Sequence, residues 1–223
     1  MSQTADIITD TMERLKRATE KQTPEEKARI EKMRDAQQER DRRCEVEKLR
    51  EGWGAPTRQL KATADWSGLW GVTAEKVKAK LGTGFLIALH GRNGNGKTQM
   101  AVEMMRYQTG ERMKSARFTT STEFFMAVKA TYKPDATRDE ASLVADFCKP
   151  SLLVVDEVEK RGASEWENNL LFHLFNRRYN DMKDTLIISN LIRAELDTHL
   201  GPSLVSRLNE TGGMIHCDWP SRR

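Results

Sequence analysis

Cysteine is scarce in this chain, and its three copies, Cys44, Cys148 and Cys217, lie far apart with no Cys-x-x-Cys pair. That excludes a disulfide framework and a cysteine-built zinc site. It reads as reduced thiols in an intracellular protein without a structural metal. The four histidines are also dispersed, and His173 is expected to pack on a helix face. No apolar run is long enough to span a bilayer, and the N-terminus has no signal-peptide core. Charge of one sign is missing too: 37 Lys and Arg stand against 33 Asp and Glu, for a net charge of +4. Such a balance is compatible with nucleic-acid contact and does not establish it. There is no internal repeat and no low-complexity tract. The hydrophobic residues, 38% of 223, suffice for one domain with a full core plus an appendage.

What is present is an octet, Gly91-Arg92-Asn93-Gly94-Asn95-Gly96-Lys97-Thr98, that fits the P-loop pattern at every fixed position. The run before it, Phe85 to His90, reads as a buried parallel strand. The run after it, Gln99 to Tyr107, reads as a helix with Met100, Ala101, Met104 and Met105 inward. The three glycines let the backbone curl until successive N–H groups face one anion. The helix N-terminus adds its partial positive charge. Lys97 is placed to reach the β- and γ-phosphates of ATP, and the Thr98 hydroxyl to ligate Mg²⁺. A chance glycine-rich turn is the alternative, and the flanking strand and helix weigh against it.

Downstream, Leu152-Leu153-Val154-Val155 runs into Asp156-Glu157. A hydrophobic strand ending in a carboxylate is how P-loop nucleotidases position an acid near the metal. Asp156 is expected to hold Mg²⁺, and Glu157 to polarise the attacking water. Thr185 to Ser189 reads as another strand, ending at Asn190. If the two strands are neighbours, the Asn190 amide lies beside those carboxylates and meets the γ-phosphate or the lytic water. A turn cap is the plainer reading of Asn190.

The organisation follows from capping signals. Residues 1–51 are a helical arm and not a core. Ile8, Met12, Leu15 and Thr19 form a narrow stripe on a helix of about residues 5–21. Thr23, Pro24 and Glu26 start a second helix, which runs to about Glu51 and stops at Gly52-Trp53-Gly54. Such a polar helix is a solvated spacer or a surface for another protein, and the stripe favours docking. Residues 52–83 are a linker and approach helix, Thr73 to Leu81, in which Trp53, Trp66 and Trp70 are core anchors or a nucleotide-base platform. Residues 84–223 alternate strand and helix, as in a doubly wound α/β sheet. Capping boxes at Thr120/Glu123, Thr137/Glu140 and Ser164/Glu167 open helices to about Tyr132, Cys148 and 181. The last strand is Gly213 to Trp219.

The region from about residue 82 resembles the DnaC/DnaI/IstB group of AAA+ ATPases, the replicative helicase loaders most of all. The likeness is carried by the octet, by Leu152 to Glu157, by Leu186-Ile187-Ile188-Ser189-Asn190 and by Asn176-Arg177-Arg178-Tyr179. Leu204-Val205-Ser206-Arg207-Leu208 and the ending Asp218 to Arg223 complete it. The resemblance implies a P-loop NTPase core of the AAA+ type with a five-stranded parallel sheet and no C-terminal helical lid. It implies ATP and Mg²⁺ as cofactors, with Asn190 as a phosphate sensor. Arg207 would be an arginine finger acting in trans, and Arg223 a second, sensor-like arginine. It implies a DnaB-type helicase gripped through residues 1–51, and a homo-oligomer on that helicase. Single-stranded DNA would bind through the 121–148 region, with Lys129, Lys133 and Arg138 as candidates. The setting would be the cytoplasm of a bacterium or of a phage-infected host, without membrane contact. Two departures stand out: Asn95 where threonine is usual, and Glu159 in place of a common glycine. An IstB-like transposition ATPase and a nucleotide-bound helicase adaptor with little turnover are the competing readings.

Overall fold

The computed structural model describes residues 23–160 and 164–220. The stripe from Ile8 to Thr19, and Arg223, lie outside the described residues. The chain divides into two units, Met1–Glu45 and Val46–Arg223.

Helix α1 (Pro24–Arg50) begins with the expected box. The Thr23 amide donates to Glu26 Oε2 at 2.9 Å, and the Glu26 amide donates to Thr23 Oγ1 at 3.3 Å. No residue of α1 is buried. Pairs one turn apart, such as Arg43 with Glu39 at 3.1 Å, support it by a few tenths of a kcal/mol each, on the order of what isolated helices show.

In the second unit, β1 (Leu86–His90), β2 (Ala116–Thr120), β3 (Leu152–Asp156), β4 (Asp184–Ser189) and β5 (Gly213–His216) form one sheet in the order β2-β3-β4-β1-β5. Every pairing is parallel. Side chains alternate across it, as the strand period of two requires. Leu86, Ala88, Leu153, Val155 and Ile187 face one core. Ile87, Leu89, Leu152, Val154, Leu186 and Ile188 face the other. The first core is closed by α5 (Ser121–Ala130), α6 (Glu140–Cys148), α7 (Glu165–Asn180), α8 (Arg193–Leu200) and α9 (Pro202–Thr211). The second is closed by α3 (Gly68–Lys80) and α4 (Lys97–Gly110), with Trp53 packed among them. A short α2 (Thr57–Lys61) precedes α3 and is tied to α4, where Arg106 donates to the Leu60 carbonyl at 2.5 Å.

Several sequence expectations need correction. Trp66 is 37% exposed and meets Trp70 edge-on, so only Trp53 and Trp70 anchor the core. Helix α3 starts at Gly68 rather than Thr73, because Asp65 accepts from the Ser67 amide and hydroxyl at 2.9 and 2.7 Å and turns the chain early. Helix α6 is capped by Asp139, which accepts from the Ser142 amide at 2.7 Å, and not by Thr137. Helix α5 ends at Ala130, short of Tyr132. His173 is exposed, on the side of α7 away from the buried Leu170, Leu171, Leu174 and Phe175. Strand β5 stops at His216, and the chain then turns Trp219 toward the octet.

The Asn176-to-Tyr179 run acquires a structural meaning. Arg178 is fully buried. It donates to the carbonyls of Phe147, Cys148, Pro150 and Asp184 at 2.6–3.1 Å and to Thr185 Oγ1 at 2.9 Å. Only guanidinium carries enough donors to satisfy the orphan carbonyls ending α6 and the start of β4 together. Burial pulls its pKa down to about 10, so it stays charged near neutral pH. Asp184 fixes the entry to β1 by accepting from the amides of Gly82, Gly84 and Phe85 at 2.5, 2.9 and 3.3 Å.

Candidate nucleotide site

Three strand ends meet at the carboxyl edge of the sheet, where open parallel folds place ligands. The octet leaves β1, Asp156 ends β3, and Asn190 follows β4, which lies between β3 and β1. The neighbouring strands that the Asn190 reading required are therefore present.

In the octet, Gly91, Gly94 and Gly96 have φ of 128°, 90° and 78°, values an L side chain rarely adopts. Lys97 opens α4 and is buried. Its Nζ donates to the carbonyls of Gly91 and Arg92 at 2.7 and 2.8 Å. Desolvation lowers its pKa, and the nearby charges of Asp156 and Glu159 oppose that. Two indoles brace the loop. Trp70 Nε1 donates to the Gly96 carbonyl at 3.2 Å, and Trp219 Nε1 to the Asn95 carbonyl at 2.6 Å. Asn95 Nδ2 donates in turn to the Cys217 carbonyl at 2.6 Å. In a trans peptide the carbonyl and the following N–H point opposite ways. Carbonyls turned to the indoles therefore aim the Gly96 and Lys97 N–H groups away from those two rings.

Thr98 Oγ1 donates to Asp156 Oδ2 at 2.8 Å. Burial pushes the Asp156 carboxyl up to about 6. A buried carboxylate short of positive charge, bonded to a hydroxyl, is a donor set suited to a hard divalent cation such as Mg²⁺. Glu157 adopts φ 55°, an uncommon conformation for such a residue. Its amide donates to Asp156 Oδ1 at 2.7 Å, and its carboxylate pairs with Lys160 at 2.6 Å. Beside it, Glu159 accepts from Asn190 Nδ2 at 2.6 Å, the Asn190 amide at 3.2 Å and Ser189 Oγ at 2.9 Å.

A cavity of about 800 Å³ is lined by Asn93, Gly94, Gly96, Lys97, Thr98, Asp156, Glu157 and Asn190. Arg58, Leu69, Trp70 and Trp219 line the same cavity. Trp70 thus serves both as a core anchor and as a wall of the cavity. Gly91 and Arg92 contribute their carbonyls to Lys97, and Asn95 faces Cys217 and Trp219. Arg207 is not among the lining residues. It stands on α9, its guanidinium 5.5 Å from the Phe172 ring and 5.3 Å from the Tyr179 ring, with Nη1 donating to the Ser203 carbonyl at 3.1 Å. Sequence reading missed Trp219 and Lys160 as neighbours of the site, and noted Glu159 only as an oddity. The one available signal was that Glu159 adds a third carboxylate within four residues of Asp156 and Glu157.

A parallel sheet in this order, with a P-loop after β1 and an acidic end to β3, defines a P-loop nucleotidase of the AAA+ class. The chain belongs to the family of IstB-like ATP binding proteins, whose model matches residues 5–208. It is similar to the replicative helicase loader DnaC of Buchnera aphidicola from Acyrthosiphon pisum, 24% identical over 134 residues that cover 60% of this chain and 54% of that one. It is similar to the uncharacterized protein YdaV of Escherichia coli, 25% identical over 156 residues covering 67% and 60%. The chain thus spans between half and two thirds of the length of these relatives. Its fold matches a crystal structure of the DnaC helicase loader with a TM-score of 0.58 at 20% identity, covering 74% of this chain and 97% of that one. Among the described residues no helix is long and apolar enough to cross a membrane.

Proposed function

We propose that the protein is an ATP-switched loader that places a ring-shaped replicative helicase onto single-stranded DNA in the cytoplasm, acting as a homo-oligomer on that helicase. The observation that carries this reading is the assembled P-loop, Thr98–Asp156 pair and Asn190 in a chain whose relatives include named helicase loaders. Gly91 to Thr98 cradle the phosphates, with Lys97 exchanging its loop carbonyls for phosphate oxygens. Thr98 and Asp156 hold Mg²⁺, which supplies charge neutralisation at the transferring phosphoryl group. Glu157 polarises the water once it leaves Lys160. That pair is exposed on the lysine side, where ion pairs contribute little. Arg207 completes the site of a neighbouring subunit.

Glu157→Gln should therefore keep ATP bound and block turnover, because it removes the base and leaves Asp156 in place. Phosphate release, measured with and without single-stranded DNA, checks this. Normal hydrolysis by the variant would assign water activation to another group, and negligible turnover by the parent protein under both conditions would favour an adaptor that hardly hydrolyses ATP.

The arm is the candidate grip on the helicase. Helix α1 carries nine basic and eight acidic residues, a balance suited to a protein partner and not to duplex DNA. That disfavours the transposition reading. In the 121–148 region, Lys129, Lys133 and Arg138 are exposed. Lys129 lies 3.8 Å from the buried Glu167 and Arg138 2.5 Å from Asp146, with both basic side chains more than half exposed to a partner. Deleting residues 1–45, at the boundary between the units, should leave a folded, ATP-binding domain that no longer captures a DnaB-type helicase. Residues 46–51 stay because the Arg50 guanidinium covers the Trp53 ring at 5.5 Å. Calorimetry and co-purification test this, and a truncation that still retains the helicase would overturn the assignment of the arm.

A further inference from the structure

Glu159 lies beside the phosphate end of the site and has no role in the reading above. Its two oxygens take three donors from the end of β4: Ser189 Oγ at 2.9 Å, the Asn190 amide at 3.2 Å and Asn190 Nδ2 at 2.6 Å. The turn that carries it is fixed from several sides. The Val158 amide donates to the Ile188 carbonyl at 3.2 Å, and the Lys160 amide to the Glu157 carbonyl at 2.8 Å. His199 Nε2 lies 2.9 Å from the Val158 carbonyl. Glu159 is therefore held in place and not a loose surface acid. Its charge also acts on Asp156 and Lys97.

A carboxylate only accepts hydrogen bonds, so it orients the Asn190 amide with the NH₂ group toward itself. The γ-phosphate of ATP is also acceptor-only and anionic, and it would need the same NH₂ group. We propose that Glu159 is a positioning residue that competes with the γ-phosphate for the Asn190 amide and thereby limits the preference of the site for ATP over ADP. This rests on Asn190 being the phosphate sensor. ADP does not present the competing phosphate, so its affinity is indifferent to the outcome. A hydrogen bond to a charged acceptor is stronger than one to a neutral acceptor. Neutralising Glu159 should thus release Asn190 to ATP.

The test is a double-mutant cycle on the full chain, read as ATP and ADP dissociation constants by calorimetry, with thermal melts to confirm folding. Glu159→Gln keeps the size and the oxygen facing Asn190. It should raise the ATP-over-ADP affinity ratio by about tenfold, the size of one charged hydrogen bond lost to the competitor. Glu159→Gly, which removes the acceptor altogether, should do at least as much and serves if the glutamine variant folds poorly. In an Asn190→Ala background the same substitutions should change the ratio by less than about twofold, because independent sites add and coupled ones do not. An undiminished rise in that background would overturn the proposal and assign the effect to direct repulsion between Glu159 and the phosphate. An unchanged ratio in Glu159→Gln and Glu159→Gly, with Asn190→Ala alone lowering ATP affinity, would overturn it while leaving Asn190 as the sensor. If Asn190→Ala alone leaves both ATP affinity and hydrolysis intact, the sensor reading fails first and this inference falls with it.

Discussion

Lys97→Ala is expected to lower ATP affinity by at least about a hundredfold, since it removes two or more charged hydrogen bonds to phosphate oxygens. The reason lies in how Lys97 is held. Its ammonium is buried at the head of α4, 2.7 and 2.8 Å from two loop carbonyls. Burial lowers its pKa, so the charged form lacks adequate compensation from those carbonyls and is favoured by any anion brought into the loop. Alanine leaves the glycine conformations and both indole bonds in place, so the loop should keep its shape and lose its cation. Calorimetric titration with ATP, alongside a thermal melt within a few degrees of the parent, is the measurement. Parental affinity in a folded variant would sink the P-loop assignment.

Arg207→Ala is expected to bind ATP as the parent does and to lose assembly-dependent hydrolysis, by on the order of 10³–10⁵ where trans arginines have been measured. Within its own subunit Arg207 rests on Phe172 and Tyr179 and is absent from the cavity wall. The Tyr179 hydroxyl is itself anchored, donating to Glu210 at 2.8 Å. A guanidinium on two rings at this exposure is held by roughly 1 kcal/mol per ring, a cost that a neighbour's triphosphate would readily offset. Mixing tests the geometry. Arg207→Ala lacks the donor and Lys97→Ala lacks the acceptor site, so mixed assemblies juxtapose intact halves and should regain part of the activity. No recovery from variants shown to co-assemble would make Arg207 a structural residue of the α7–α9 face.

The parts that were legible in the sequence share one property: their partners lie within a few residues. The octet is a local backbone device. The boxes at Thr23/Glu26, Thr120/Glu123 and Ser164/Glu167 close over three residues, and all three are present. The buried strands announce themselves as continuous apolar runs, since a parallel sheet is covered on both faces. Helix α6 starts later than the Thr137/Glu140 box placed it, because Asp139 takes the cap by accepting from the Ser142 amide. Trp66 was misplaced for a related reason, because a residue four positions from a buried one shares its face only if both lie in one element, and α3 begins at Gly68, after Trp66.

By itself the sequence determined that this is an α/β nucleotide-binding protein with a P-loop, an acidic strand end and a polar helical appendage. Those features depend on composition, period and spacing, which are written along the chain. Only the tertiary structure decided what supports the loop and what holds Asn190. Trp219 reaches Asn95 across 124 positions, Arg178 gathers carbonyls about 30 positions away, and Glu159 meets Asn190 across 31. Such contacts are set by the order β2-β3-β4-β1-β5. Strand order follows from how the two cores pack on the sheet, and no local pattern encodes which strand ends will lie side by side.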